Sequence, residues 1–479
     1  MKVLMVSSET VPFSKSGGLA DVVGSLSPAL VSSGVETRVL MPLYGFINEK
    51  GFKYKYTLTV SMLDKDEKID IVSIKHKGVE YVALKHPVFT ERKGIYGDTS
   101  FTPYGDNAYR YLLMSKAVLQ YMKKSRFMAD IVHCHDWTSG LVPFLLKKEG
   151  FLSYSIFTIH NLAYQGTFSR FDALPLGFET EEEMFSGEGI DRRFNMLKAG
   201  LIYSDMITTV SESYVDEIQD KEQGCGLEDI LRARKDCLAG ILNGIDTDEW
   251  SPETDKYFKT HFTSKDQSGK KKLKAKVQEK FGLNKEADTP LIAMISRIAE
   301  QKGFHELLHG TPCALEKILN MKCQVLLIGT GDKEYVDKLN ELAARYKNLS
   351  VNIIFSQEAS HLVEGAADFF LMPSRYEPCG LNQMYSLRYG TLPIVHETGG
   401  LKDTVIDIDS DVYKGNGFSF KVLNSDEIVN CVKRALSFYN KGSKAVEEAR
   451  RVGMETDFSW NESAQKYIKI YKKLLGGTK

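Results

Sequence analysis

The stretch KVLMVSSETVPFSKSGGLADVVGSLSPAL, residues 2–30, joins an apolar run to a turn with two glycines and then to a helical pattern. Lys2–Ser7 is rich in aliphatic residues and predicts a strand that is buried on both faces. Apolar residues then recur at intervals of three and four, which predicts a helix beginning near Gly18; they are Leu19, Val22, Val23, Leu26, Ala29 and Leu30. A strand, a turn and a helix in this order predict the start of an α/β domain.

The same alternation continues along almost the whole chain and predicts an α/β protein with two doubly wound, Rossmann-like domains. Further strands are predicted at Thr37–Met41, Asp130–Cys134, Ser155–His160, Met206–Val210, Leu291–Ser296, Gln324–Ile328, Val351–Phe355, Asp368–Met372 and Pro393–His396. We expect a first domain over residues 1–245 and a second over 246–456. The helical stretch 457–479 is expected to pack back on the first domain. The polar and basic segment Lys256–Gly282 predicts a linker that leads into an exposed helix.

Composition narrows the classes of function. The 479 residues carry 62 Lys and Arg against 63 Asp and Glu, so global charge does not favour nucleic acid or an acidic membrane as a partner. We find no run of about eighteen apolar residues, so no membrane span is expected. Seven cysteines without CxxC spacing indicate a reducing compartment, and the predicted location is the cytoplasm.

The turn before the first helix could hold an anion. Lys15 and Gly18 stand where a helix N-terminus presents free N–H groups at the carboxyl edge of a sheet. However, neither GxGxxG nor GxxxxGK[ST] is present, so the dinucleotide and P-loop interpretations fail on spacing. A plain tight turn with a solvated lysine stays equally open at this point.

Polar residues also follow later strands of the first domain. His133 and His135 lie on one face of a strand, but two histidines are too few ligands for zinc, and no metal site is predicted. Asp136 comes at the end of that strand, and His160 and Asn161 come at the end of the next one. Open α/β sheets bind ligands at this edge, so these residues are candidates for binding a hydroxylated ligand.

The second domain repeats this arrangement with more positive charge. Arg297 and Lys302 follow its first strand and could clamp a diphosphate. Glu377 follows the strand Asp368–Met372 and is positioned to bind sugar hydroxyls. The next residues, Cys379-Gly380-Leu381, form a loop that enters a helix, whose N–H groups could cap a phosphate. No base can be placed beside Cys379, so a nucleophilic role is not supported.

Taken together, the motifs KSGGLADVVGSLS, HDW, HNLAYQG, ILNGID, SRIAEQKG, PSRYEPCGLNQMYSLRYGTLPIV and TGGLKDTV resemble, in order, the bacterial glycogen synthase and plant starch synthase family, glycosyltransferase family five. The resemblance covers essentially the whole chain, although Ser27 replaces the usual proline. It implies a GT-B fold, in which a deep cleft separates the two domains. It also implies retaining transfer of glucose from ADP-glucose to the non-reducing end of an α-1,4-glucan, without a metal or other cofactor.

The resemblance also implies roles for individual residues. Phe355 stands where a tyrosine commonly stacks on adenine, and Tyr385 takes the second position of a Glu-x7-Glu pattern, which leaves only Glu377 in that role. The implied catalytic residues are His160, Arg297, Lys302 and Glu377. The implied donor-site residues are Lys15, Gly18, Asp21, Asn243, Phe355, Cys379, Gly380 and Leu381. Asp136 and Asn161 are expected at the transferred glucose or the acceptor.

Three other functions remain open from the sequence. They are a retaining transferase that uses UDP-glucose or another acceptor, a glucan phosphorylase with a pyridoxal phosphate lysine, and a glucan-binding protein without catalysis. No carboxylate pair of the kind that retaining glycosidases use is evident, so we predict front-face attack on the sugar.

Overall fold

The computed structural model describes residues 1–63, 65–98, 102–173, 177–178, 181–187, 192–411 and 413–476. The chain divides into two compact units. Unit 1 comprises Met1–Gly244 and the chain from Trp460 onward, and unit 2 comprises Ile245–Ser459. The sequence placed these divisions after residues 245 and 456.

Unit 1 contains a large mixed sheet and a small antiparallel sheet. Its strands in chain order are β1 (Lys2–Val6), β2 (Glu36–Pro42), β3 (Lys53–Ser61), β4 (Asp66–His76), β5 (Val79–Lys85), β6 (Ile131–His135), β7 (Tyr154–Ile159), β8 (Thr167–Ser169), β9 (Phe185–Ser186), β10 (Arg193–Asn195), β11 (Met206–Thr209) and β12 (Leu238–Gly240). Over the described residues the large sheet has the order β12-β11-β7-β6-β1-β2-β5-β4-β3, and the small one the order β8-β10-β9. The chain reverses its winding direction between β1 and β6, so this edge is a topological switch point.

Unit 2 contains a fully parallel sheet. Its strands are β13 (Leu291–Ile295), β14 (Gln324–Ile328), β15 (Leu349–Asn352), β16 (Phe369–Met372), β17 (Leu392–His396) and β18 (Phe418–Phe420). In the described part of the chain they have the order β15-β14-β13-β16-β17-β18. This is the Rossmann order, with its switch point between β13 and β16. The predicted fold class, two doubly wound α/β domains, is confirmed in both units.

Helices cover the sheets of both units. In unit 1 they are α1 (Gly18–Ser32), α2 (Pro87–Thr90), α3 (Asn107–Ser125), α4 (Val142–Lys148), α5 (Arg170–Ala173), α6 (Met196–Tyr203), α7 (Glu212–Glu217) and α8 (Glu228–Ala233). Those of unit 2 are α9 (Ser268–Lys280), α10 (Phe304–Leu308), α11 (Ala314–Leu319), α12 (Lys333–Arg345), α13 (Gln357–Ala366), α14 (Asn382–Arg388), α15 (Gly399–Thr404), α16 (Ser425–Tyr439) and α17 (Ser443–Glu455). The last helix, α18 (Trp460–Gly476), belongs to unit 1 and shares an apolar cluster with α1.

Several of the strands that the sequence analysis missed have a pattern other than a continuous apolar run. In β3, KYKYTLTVS, polar residues alternate with apolar ones and only two side chains are buried. It pairs antiparallel with β4, and β4 pairs antiparallel with β5. Antiparallel strands can expose one face to solvent, so their sequence signal is an alternation of polar and apolar residues and not a continuous apolar run.

The prediction that Lys256–Gly282 leads into an exposed helix is wrong on one face of α9. Lys270 and Lys274 are only 2% and 3% exposed. The Lys270 ammonium donates to the Tyr389 carbonyl at 2.9 Å and to the Thr391 hydroxyl at 2.6 Å. The Lys274 ammonium lies 2.7 Å from a carboxylate oxygen of Asp368. These acceptors come from chain segments that follow α9 by about 90 residues or more, so the local charge pattern could not reveal them.

None of the helices in the described residues is both long enough and apolar enough to cross a membrane.

Candidate active site

In unit 1 the candidate residues lie at the switch point between β1 and β6. The turn after β1 leads into α1, whose N-cap residue, Gly17, has no side chain that could cap the helix. Gly18 is the first residue of that helix. The Lys15 ammonium lies 2.7 Å from a carboxylate oxygen of Asp21, and both side chains are partly exposed. The structure therefore brings two of the predicted donor-site residues together, and Lys15 is not a solitary solvated cation.

A residue that the sequence analysis missed lies under this turn. Glu9 is 2% exposed, and its carboxylate accepts hydrogen bonds from the Ser16 and Gly17 N–H groups and from the Ser16 hydroxyl. The Tyr96 hydroxyl donates to the same carboxylate at 2.8 Å. Burial raises the pKa of Glu9, while these hydrogen bonds act in the opposite direction. The signal available in the sequence was a carboxylate immediately after the first buried strand.

Asp136 follows β6 in a strained backbone conformation, with φ of +54° and ψ of −178°. Such conformations are rare outside glycine and persist where the surrounding structure holds them. Its carboxylate accepts from the His160 N–H at 2.7 Å, which ties the end of β6 to the end of β7. Burial raises the pKa of Asp136 to about 7, with a smaller contribution from the charge of Glu9, whereas the N–H groups of His160 and Asn161 act to lower it.

The raised pKa of Asp136 predicts that its contribution to stability depends on pH. Between the ordinary aspartate pKa of 3.8 and about 7, the folded protein retains a proton that the unfolded chain releases. Stability therefore falls as the pH rises through this window. We expect the urea midpoint of the wild type to fall more between these pH values than that of Asp136→Asn. Parallel pH curves for the two proteins would contradict the assignment.

The three histidines of this edge form a chain of contacts, in which His133 and His135 are buried and His160 is partly exposed. The two ring nitrogens of His133 lie 2.9 Å from the Tyr471 hydroxyl and 2.6 Å from the Thr158 hydroxyl. One ring nitrogen of His135 lies 3.0 Å from one of His160. Burial lowers the pKa of His133 and His160 to about 3, so these rings are neutral at physiological pH. In the part of the chain that the structure describes, no group of three or more His, Cys, Asp or Glu residues is placed to hold a metal ion.

Asn161 and Asn243 differ in whether their side-chain oxygens accept a hydrogen bond. The Asn161 side-chain oxygen accepts from the Ala163 N–H at 3.1 Å. Asn243 is 5% exposed, and its side-chain oxygen has no hydrogen-bond partner among the described residues. Buried polar atoms are nearly always paired, so this oxygen is a candidate acceptor for a ligand donor.

In unit 2 the candidate residues follow β13 and β16, the two strands at the switch point. The Lys302 ammonium lies 2.5 Å from a carboxylate oxygen of Glu377, and both side chains are mostly buried. The Ser374 hydroxyl donates to the same oxygen at 3.1 Å. Arg297 is exposed and donates to the Gln301 side-chain oxygen at 2.9 Å. Two predicted catalytic residues from distant segments are thus in direct contact.

Hydrogen bonds join the segment after β13 to the segment after β16. The Arg375 N–H donates to the Gln301 carbonyl at 2.9 Å, and the Gln301 amide donates to the Tyr376 carbonyl at 3.3 Å. The Asn382 amide, at the start of α14, donates to the Ile295 carbonyl at 2.7 Å. The sequence analysis missed Gln301 and Asn382, whose role depends on the pairing of distant strands.

Two glycines let the Glu377 loop lie against its neighbours. Gly399 has φ of +44°, and a Cβ there would stand 2.1 Å from the Glu377 carbonyl oxygen. At Gly400 a Cβ would stand 2.0 Å from the Cys379 carbonyl oxygen. The segment Gly399-Gly400-Leu401 therefore packs against the loop that follows Glu377. Within that loop Cys379 is buried, Gly380 has φ of +71°, and Leu381 is the N-cap of α14.

Gly303 lies where the segment after β13 packs closely against the segment after β16. It has φ of +79°, and a Cβ would stand 2.0 Å from the Pro373 carbonyl oxygen. Gly282 has a similar φ of +74° but nothing within 4 Å of that position. We expect Gly282→Ala to lose about 1–2 kcal/mol of unfolding free energy from backbone strain alone. Gly303→Ala should lose about 1–3 kcal/mol more because of the steric clash. Urea unfolding measures both, and equal losses would contradict this account.

Two aromatic residues, Phe355 and Tyr385, have surroundings that the sequence analysis did not predict. β15 ends at Asn352, so the predicted strand Val351–Phe355 is wrong at its end, and Phe355 lies beyond the strand with 93% of its surface exposed. Tyr385 stacks on Trp250 with ring centroids 3.7 Å apart, and His361 stacks on Trp250 at 3.8 Å. Tyr385 is therefore part of an aromatic stack.

Comparison with known proteins defines the class first. Residues 2–233 match the family model of the starch synthase catalytic domain, and residues 276–452 match the model of glycosyl transferases group 1. A sucrose-phosphate synthase from Thermosynechococcus elongatus, with a TM-score of 0.63 and 16% identity, shares the fold alone. Two Rossmann-like domains matched in this order define a GT-B glycosyltransferase.

Close relatives then give the family. The chain is 40% identical to the glycogen synthase of Treponema denticola, over 98% of each chain. It is 42% identical to that of Myxococcus xanthus, over 99% of this chain and 100% of the relative. The solved catalytic domain of starch synthase IV from Arabidopsis thaliana, bound to ADP and acarbose, matches with a TM-score of 0.89, 30% identity and 99% coverage of both chains. The chain belongs to the glycogen and starch synthase family, and its class of activity is glucosyl transfer in glycogen biosynthesis.

Proposed function

We propose that this chain transfers glucose from ADP-glucose to the non-reducing end of an α-1,4-glucan with retention of configuration. The observation that carries the proposal is the Lys302–Glu377 contact at the switch point of unit 2, where the exposed Arg297 also bonds to Gln301, the residue before Lys302. Cations at this edge suit a nucleoside diphosphate, and a fixed carboxylate suits sugar hydroxyls. The ADP and acarbose bound to the starch synthase IV domain support the same pair of substrates.

The reaction can be written with the residues of this chain. The bond between the glucose anomeric carbon and the diphosphate breaks, and the acceptor hydroxyl forms a bond on the same face. The acceptor proton passes to the departing phosphate oxygen. Arg297 and Lys302 stabilise the charge that develops on the diphosphate, where preorganised cations have their largest effect. Glu377 is held by Lys302 and Ser374, so its carboxylate can accept hydrogen bonds from the sugar without rotating.

The proposal also assigns roles to residues of unit 1. Lys15, Gly18 and Asp21 contribute to the donor site around the start of α1, and Asn243 contributes its unpaired amide oxygen. Asp136, His160 and Asn161 contact the transferred glucose or the acceptor. Phe355, in unit 2, offers an exposed ring for the adenine, and Cys379, Gly380 and Leu381 line the donor loop.

The proposal includes no metal and no other cofactor, because the two cations supply the charge that a metal would supply. Turnover should therefore be unchanged by EDTA. A cytoplasmic location is also proposed, and it is supported by the seven cysteines, all within the described residues and all free.

The test is a coupled assay of ADP release with glycogen as acceptor, in which ADP-glucose and UDP-glucose are compared. ADP release that depends on glycogen and exceeds UDP release supports the proposal. Higher activity with UDP-glucose would favour the alternative donor. Glycogen binding without nucleotide release would favour a non-catalytic glucan-binding protein, and a Schiff-base absorbance would favour a phosphorylase.

A further inference from the structure

The helix α10 carries a pair of histidines that the proposed reaction does not use. Residues 305–309 read His-Glu-Leu-Leu-His, in which His305 lies in α10 and His309 is its C-cap. The two rings stack with their centroids 3.8 Å apart and their planes 26° apart, and both residues are partly exposed. Side chains four residues apart along a helix are neighbours on its surface, so these two rings are close enough to share one ligand.

The hydrogen bond of the His309 ring leaves one of its nitrogens available to a metal ion. Its Nδ1 lies 3.0 Å from the His305 carbonyl oxygen. A carbonyl oxygen can only accept, so in the neutral ring Nδ1 carries the hydrogen and Nε2 carries the lone pair. Metal-binding histidines are commonly oriented in this way, by a bond from the other ring nitrogen to a backbone carbonyl. The stacked ring of His305 is the second candidate ligand.

The spacing His-Glu-x-x-His is that of zinc peptidases, but the structure does not support their chemistry. A zinc peptidase needs a third protein ligand and a glutamate that is free to act as a base. In the described parts of the chain, no third His, Cys, Asp or Glu joins the two rings to form a metal site. Glu306 is 9% exposed, and its carboxylate lies 2.5 Å from the Arg375 guanidinium, so it is already held in an ion pair. What remains is a pair of imidazole ligands.

We propose that His305 and His309 bind one divalent transition-metal ion at the end of α10, with water in its remaining coordination positions. Imidazole nitrogens suit Zn²⁺, Ni²⁺ and Cu²⁺, and among these ions Cu²⁺ binds such ligands most tightly. Mg²⁺ and Ca²⁺ prefer oxygen ligands and are not expected to bind. Two nitrogens on one tetrahedral zinc stand about 3.3 Å apart when the Zn–N bonds are about 2.05 Å long. The 3.8 Å between the ring centroids is close to this separation.

The ion cross-links the body of α10 to its C-cap. This helix has only five residues, and the side chains of Phe304, Leu307 and Leu308 are buried. Helix ends are weak points because their last carbonyls lack partners within the helix. A link from His305 to His309 stabilises this end, because the ion binds the folded segment in preference to the unfolded one. The ion takes no part in the proposed reaction, so the inference does not rest on the proposed function.

A titration with CuCl₂ tests the site. The full chain is treated with EDTA, exchanged into buffer and titrated in a calorimeter. We expect His305→Ala and His309→Ala each to weaken the tightest Cu²⁺ binding by ~10²-fold, the scale by which linking two binding groups strengthens binding. The double variant should lose little more than either single variant, because the two rings act as a unit. His76→Ala is the matched control and should keep the wild-type affinity, since His76 is also partly exposed but packs against Phe13 and Tyr81.

The paramagnetic resonance spectrum of the bound Cu²⁺ is the second readout. At one equivalent of Cu²⁺, we expect coupling to two nitrogens in the wild type and loss of this coupling in each variant. Wild-type Cu²⁺ affinity in both alanine variants would overturn the proposal, and so would a wild-type spectrum that does not differ from theirs. If an alanine variant does not fold, His305→Gln and His309→Gln replace it and should show the same loss. Inactivity with ADP-glucose would refute the proposed function alone, since this test needs neither nucleotide nor glucan.

Discussion

Replacing Lys302 by alanine is expected to lower kcat with ADP-glucose by ~10²-fold or more, the scale for removing one preorganised charge stabiliser. Two effects add in this variant. The diphosphate loses a cation, and the mostly buried Glu377 loses the ammonium group 2.5 Å from its carboxylate. Glu377 then keeps the hydroxyl of Ser374, 3.1 Å away, and turns an uncompensated negative charge toward the departing phosphate.

Matched variants separate these effects. Lys333→Ala removes a lysine of the same unit that is 86% exposed and paired within its own helix, so it should leave kcat unchanged. Arg297→Ala removes the exposed cation without touching Glu377, and a similar loss is expected. The double variant Lys302→Ala/Glu377→Ala should lose less than the product of the two single losses, because contacting residues are not additive. A Lys302→Ala enzyme within a few-fold of the wild type would reject the assigned role.

Replacing Asp368 by alanine is expected to lower the free energy of unfolding by about 3–5 kcal/mol, as when one partner of a buried ion pair is removed. Asp368 is 4% exposed and lies 2.7 Å from the Lys274 ammonium and 2.6 Å from the Arg450 guanidinium. Without the carboxylate, two buried cations face each other with no counter-charge. Urea unfolding at neutral pH measures the loss.

Asp368 also makes the free energy of unfolding depend on pH. Burial would raise the pKa of Asp368, but Lys274 and Arg450 outweigh it and hold the pKa below its usual range. Its contribution is therefore present above the ordinary aspartate pKa of 3.8 and is lost as the pH falls through the lower folded value. The difference between wild type and Asp368→Ala should shrink in acid. Asp426→Ala removes a 79% exposed partner of Lys317, so its loss should be far smaller than that of Asp368→Ala, because an ion pair in contact with solvent contributes little. An equal loss in both variants would contradict the account.

Most of the fold and part of the candidate list of site residues could be predicted from local pattern, whereas Asp21, Asn243 and Phe355 became candidates only through the family resemblance. The buried apolar runs located ten strands of the two large sheets, with Gln324–Ile328 matching β14 residue for residue. Such runs are readable because a strand covered on both faces has no polar alternation. The placement of polar residues directly after these strands also identified Asp136, Arg297 and Glu377, since parallel strands present their carboxyl ends at one edge.

What the sequence could not determine depends on partners that are distant along the chain. Glu9, Gln301 and Asn382 each make a hydrogen bond to a distant segment, Glu9 to the Tyr96 hydroxyl, Gln301 to the Tyr376 carbonyl and Asn382 to the Ile295 carbonyl. The same holds for Lys270 and Lys274, which a charge pattern places on the surface and tertiary packing buries. Strand order, and with it the switch points, is a property of non-local pairing. The sequence by itself therefore determined most of the strands and helices, the class of fold and the types of side chain at the candidate site. Only the tertiary structure decided which charged groups form pairs and which are buried. The reason is that burial and ion pairing depend on contacts between segments that are distant along the chain.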